Sequence, residues 1–100
     1  KFNINHKKYV NISVLDGYIR NATGQIIDLS TNNIIEEFVT NEYGKYSLIT
    51  DAKKLPETYK IKILPGGIDI VTGLPILSTF STISTKDNTA TESKQYVSPI

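Results

Sequence analysis

Tyr59-Lys60-Ile61-Lys62-Ile63 places apolar residues at every second position with lysines between them. Successive side chains of an extended chain point to opposite faces. Tyr59, Ile61 and Ile63 therefore share an apolar face and Lys60 and Lys62 a charged one, the pattern of a half-buried strand. The same period recurs upstream, where Val10, Ile12 and Val14 alternate with Tyr9, Asn11 and Ser13. Ala22 to Leu29 predicts another strand, with Ala22, Gly24 and Ile26 on one face, small residues suited to close contact between sheets. Ile34 to Thr40 predicts a third, and Lys45 to Thr50 a fourth, with Tyr46 and Leu48 facing one way and Lys45 and Ser47 the other.

The segments between these runs are rich in turn formers. Ser30-Thr31-Asn32-Asn33 and Asn41-Glu42-Tyr43-Gly44 both read as tight hairpin turns, because Asn and Gly accept the left-handed backbone that such turns demand. Asp51 to Glu57 reads as a polar loop in which Ala52 to Leu55 has room for one helical turn. Pro65-Gly66-Gly67 ends the clearest strand, and with Gly73 and Pro75 close behind, Pro65 to Pro75 is expected to be a long irregular connection. A β pattern resumes over Ile76 to Ser84, and Lys94 to Val97 reads as a last strand. No segment carries the apolar stripe of a long helix. About seven short strands in 100 residues predict an all-β, antiparallel, two-sheet sandwich. Its core is expected to include Ile12, Val14, Ile26, Tyr46, Leu48, Tyr59, Ile61 and Ile63.

One core is what 100 residues support. Residues 1–8 read as an extension or linker and 9–100 as a single domain. Methionine is absent, so Lys1 is not an initiator, and Tyr96-Val97-Ser98-Pro99-Ile100 ends in an apolar stretch; both point to a fragment of a larger protein. Eleven Lys and Arg residues against ten Asp and Glu give a net charge of +1, and Arg20 is the sole arginine, which argues against a nucleic-acid partner. No apolar run is long enough for a membrane-spanning helix. The lack of cysteine excludes disulfides and thiolate sites.

Asp16-Gly17-Tyr18-Ile19, Asn21-Ala22-Thr23 and Thr40-Asn41-Glu42-Tyr43-Gly44-Lys45-Tyr46-Ser47, with Leu55-Pro56 ahead of Tyr59-Lys60-Ile61, resemble the carboxypeptidase-regulatory-like and collagen-binding B-type repeats. The likeness runs from Ile12 to Leu64 and implies an immunoglobulin-like or transthyretin-like sandwich. The chain departs from the pattern at Asn21, where Gly is frequent, at Gly24, where a core Val is frequent, and in the insertion from Gly66 to Gly73. Such domains usually sit beside catalytic or adhesive ones without an active site of their own. Some B-type relatives crosslink a first-strand lysine to a last-strand Asn or Asp; Lys7, Lys8 and Asn88 are the rough counterparts, in polar surroundings that do not favour the chemistry.

No catalytic constellation is visible. His6 is the only histidine and lies in a polar run, no nucleophile elbow occurs, and the adjacent carboxylates Glu36 and Glu37 point to opposite faces of a strand. No metal or other cofactor is expected. Asp16, Asp69 and Asp87 lie in loops that a sandwich could gather at one end around calcium, and turn capping accounts for them better. Asn11-Ile12-Ser13 and Asn21-Ala22-Thr23 fit the N-glycosylation pattern at Asn11 and Asn21.

The expectation is a non-catalytic structural or assembly module of a surface or extracellular protein: a stalk, fibre, surface-layer or virion decoration. Its partners would be other domains of the parent or other copies of itself, with Phe2 and Ile4 of the alternating Phe2-Asn3-Ile4-Asn5 run as assembly candidates that add to a sheet edge. The alternative is a module binding carbohydrate or protein through the 65–75 loop, with Gly66, Gly67, Asp69 and Thr72 facing the ligand. With no tryptophan in the chain, and Tyr18 and Tyr43 the only aromatics near turns, the structural reading is preferred.

Overall fold

The computed structural model describes residues 7–14, 18–51, 53–86 and 92–98. Among them the chain forms nine strands and no helix: β1 (Lys7–Val14), β2 (Ile19–Arg20), β3 (Thr23–Asp28), β4 (Ile34–Val39), β5 (Lys45–Asp51), β6 (Thr58–Ile63), β7 (Ile68–Asp69), β8 (Phe80–Thr85) and β9 (Glu92–Val97). Seven make two main sheets, ordered β5-β1-β9 and β4-β3-β6-β8, and β2 pairs with β7 in a small third one. The apolar faces of the main sheets meet in one core. Val10, Ile12, Val14, Leu48 and Val97 come from the first, and Ile26, Phe38, Tyr59, Ile61, Ile63 and Phe80 from the second. The chain is an all-β sandwich. Every expected core residue is buried except Tyr46, which packs against the core while partly exposed.

Three local differences from the sequence reading matter. First, β9 runs parallel to β1, with Ser13 opposite Tyr96 and Asn11 opposite Lys94, while every other pair is antiparallel. A parallel partner requires a long crossover. Here the connection is everything between Val14 and Glu92, so no local signal carries it. Second, the turn at Asn41–Gly44 does not close a hairpin, because β4 belongs to one sheet and β5 to the other. It is a corner. Asn41 Oδ1 accepts from the backbone N–H groups of Tyr43 (2.8 Å) and Lys45 (3.0 Å). The buried Thr40 hydroxyl accepts from Ala22 N–H (2.8 Å) and donates to Ile19 C=O (3.0 Å), tying the corner to β2 and β3. Third, β1 begins at Lys7, so Lys7 and Lys8 belong to the first strand.

Gly24 is explained by its cross-strand partner. It lies opposite Phe38, and a Cβ at Gly24 would sit 2.1 Å from Phe38 Cζ. The ring fills the space that a larger residue in β3 would occupy, and its other face stacks on Tyr46 at 4.6 Å between centroids and 14° between planes. Tyr46 donates its hydroxyl to Glu36 (3.0 Å). Asn21, at another position where the chain departs from the repeats it resembles, has φ 54°, a left-handed geometry that Asn tolerates better than most residues.

Candidate functional site

The 65–75 segment is not irregular. Gly66 N–H donates to Ile76 C=O (2.9 Å), Ile76 N–H to Gly67 C=O (2.7 Å), and Asp69 N–H to Leu74 C=O (3.0 Å), which makes a hairpin that includes β7. Its tip closes through Gly73 N–H to Asp69 C=O (2.7 Å), with Gly73 at φ +74°. Asp69 Oδ1 accepts from the N–H groups of Val71 (2.8 Å) and Thr72 (3.4 Å), and Thr72 Oγ1 accepts from Leu74 N–H (3.2 Å). The hairpin is braced on the sandwich by the pairing of β7 with β2. Gly67 strengthens this, since a Cβ there would approach Ile19 Cγ2 to 2.6 Å and the Ala22 methyl to 2.9 Å.

Of the four expected ligand-facing residues, three serve the hairpin itself. Gly67 is buried against the core, and Asp69 and Thr72 hold their own turn. Gly66 is exposed with nothing within 4 Å of a built Cβ. Among the side chains that the hairpin and the residues after it present to solvent are large apolar ones: Val71, Leu74 and Leu77 are 76%, 64% and 84% exposed, with Ile70 beside them. Sequence reasoning missed these residues. The signal was present in Asp69-Ile70-Val71-Thr72-Gly73, an Asp that caps a turn four residues ahead of a Gly. It makes a closed tip of this stretch and leaves its apolar side chains without a core to enter.

The remaining candidates separate. Asp16 and Asp87 of the calcium set, Phe2 and Ile4 of the assembly set, His6 and Asn88 lie outside the described residues. Among the described residues no cluster of three or more His, Cys, Asp or Glu side chains has the proximity to hold a metal. Asn11 lies in the middle of a sheet, with Nδ2 donating to Glu92 (2.6 Å) and Oδ1 accepting from Ser47 Oγ (2.8 Å), so its amide is already engaged. Asn21 is exposed on a turn. Glu36 and Glu37 do point to opposite sides of an edge strand: Glu36 receives Tyr46, and Glu37 accepts from Gln25 Nε2 (3.1 Å). No described helix is long and apolar enough to cross a membrane.

No family model matches the chain, and the comparisons with curated proteins and with solved structures found no match.

Proposed function

We propose that this chain is a non-catalytic structural module of a surface or extracellular protein, and that it acts by docking its apolar hairpin against another copy or a neighbouring domain. The exposure of Val71, Leu74 and Leu77 carries the reading. Single exposed apolar residues are ordinary on protein surfaces, whereas three strongly exposed ones within seven positions of a hairpin and its exit point to a contact site. Burying these side chains would contribute on the order of 1 to 2 kcal/mol each, enough to drive a specific contact. The brace through β2, β7 and Gly67 supports the reading further, because a preformed projection loses little freedom on docking. The resemblance of Ile12 to Leu64 to accessory repeats supports the extracellular setting, and the single histidine and absent cysteine support a non-catalytic role.

Site-specific photo-crosslinking tests the proposal. A photoreactive residue at Val71, in the protein as its cell makes it, is expected to form adducts with another copy or domain, while the same residue at exposed Ser81 does not. Equal labelling from both positions, or none from Val71, would overturn it.

A further inference from the structure

A second surface, on the outer face of the β5-β1-β9 sheet, has a different chemistry. The strand registers lay it out as a grid: Ser13 of β1 is flanked by Lys45 and Tyr96, and Asn11 by Ser47 and Lys94. Beyond the end of β1, Tyr18 leans over the same face, and together these side chains line a groove of about 420 Å³. Tyr18 and Tyr96 are 46% and 58% exposed. Tyr18 holds φ 64°, a left-handed backbone that a bulky residue adopts only under local constraint. Neither Lys45 nor Lys94 has an ion-pair partner among the described residues.

We propose that this groove binds an acidic oligosaccharide. Two exposed tyrosine rings offer flat, weakly polar faces to the C–H faces of sugar rings. Ser13 supplies a hydroxyl donor and acceptor, Ser47, whose hydrogen goes to Asn11, supplies an acceptor, and the two lysines meet a carboxylate or a sulfate ester. Two strand spacings separate Lys45 from Tyr96 along a row, about 10 Å, which accommodates two joined sugar rings. A nucleic acid would also offer rings and anions, but its affinity rests on many phosphate contacts, and this groove has two cations, no arginine and a chain of net charge +1. A peptide would seek apolar pockets, and the floor of the groove is a hydroxyl and amide surface formed by Asn11, Ser13 and Ser47. The site stands apart from the hairpin contact and does not depend on it.

The test is NMR titration of the chain with trigalacturonate, a sulfated disaccharide, a neutral trisaccharide, oligoglutamate and oligodeoxythymidine. One of the two acidic sugars is expected to shift the amides of Ser13, Lys45 and Lys94, at least about tenfold more tightly than the neutral one, and whichever binds better identifies the acid group. Tyr96→Ala and Lys94→Gln are each expected to weaken that binding about tenfold, and Lys94→Gln to lower its salt dependence by about half, with the melting temperature unchanged. The proposal is overturned if neither acidic sugar shifts these amides at about 10 mM, a Kd limit near 3 kcal/mol of binding. It is also overturned if oligoglutamate or oligodeoxythymidine binds as tightly, or if Tyr96→Ala leaves the affinity intact.

Discussion

Replacing Gly24 by Ala tests the packing that joins the two sheets. The new methyl carbon would lie 2.1 Å from Phe38 Cζ and 2.5 and 2.7 Å from its two ε carbons, so the ring must move. It has little room, being 4% exposed and stacked on Tyr46 at 4.6 Å. Forcing a methyl into a filled core costs roughly 1 to 3 kcal/mol, and disturbing an aromatic stack about 0.5 to 1.5 more. Ala recovers about 0.5 to 1 kcal/mol through lower chain entropy in the unfolded state. The net expectation is a loss of about 2 kcal/mol, a fall in melting temperature of roughly 8 to 16 °C for a domain of this size. Thermal and urea denaturation followed by far-UV circular dichroism would read it. Phe38→Ala alone should cost about 3 to 5 kcal/mol by opening a cavity. In that background Gly24→Ala is expected to reverse sign and stabilise the chain, because the methyl enters space the ring has left. A melting temperature within about 2 °C of wild type for Gly24→Ala, or a coupling in the double-mutant cycle below about 0.5 kcal/mol, would refute the reasoning.

Thr40→Val keeps the volume of the corner but removes the hydroxyl, leaving Ala22 N–H without its side-chain acceptor at a buried site. A loss of about 1 to 3 kcal/mol is expected by urea denaturation, and an unchanged midpoint would mean that the hydroxyl does not hold the corner. Burial raises the pKa of Tyr59 above 10.0, and burial together with Glu36 raises that of Tyr46. A phenol with a raised folded pKa keeps its proton longer when folded, so its contribution is intact below about pH 10 and is lost as pH climbs through the folded value. Unfolding monitored from pH 8 to 11.5 should therefore show a decline beginning near pH 10 that Tyr46→Phe makes shallower; an identical slope in that variant would contradict the assignment. Asp69→Ala removes the acceptor of Val71 and Thr72 N–H, and hydrogen exchange should accelerate at those two amides while Ile61 in the core stays protected.

Period-2 patterning is a local property, and what depended on it was legible. The inward faces of β1, β3, β5 and β6 follow directly from the positions of Val10, Ile12, Ile26, Leu48, Tyr59, Ile61 and Ile63. Sheet membership is not local. Asn41–Gly44 has the composition of a hairpin turn, but the bonds of Thr40 to Ile19 and Ala22 turn it into a corner, and those partners lie far back along the chain. The parallel placement of β9 beside β1 is hidden for the same reason. In the hairpin, the density of Gly and Pro suggested irregularity, because the closing bonds of Asp69 and Thr72 are side chain to backbone and leave no periodicity. Tyr96 read as an ordinary strand residue, since its proximity to Tyr18 arises only once β9 pairs with β1.

The docking role of the hairpin is tested most directly by a paired Val71→Asp and Leu77→Asp variant, read for melting temperature and for native assembly size in the protein as its cell makes it. Both side chains lie outside the core and make no contribution to it. The expected result is a melting temperature within about 2 °C of wild type, as for exposed positions away from special features, together with loss of assembly. A fall of more than about 5 °C with assembly intact would contradict it, and would mean that these residues serve the stability of their own domain rather than contact with another.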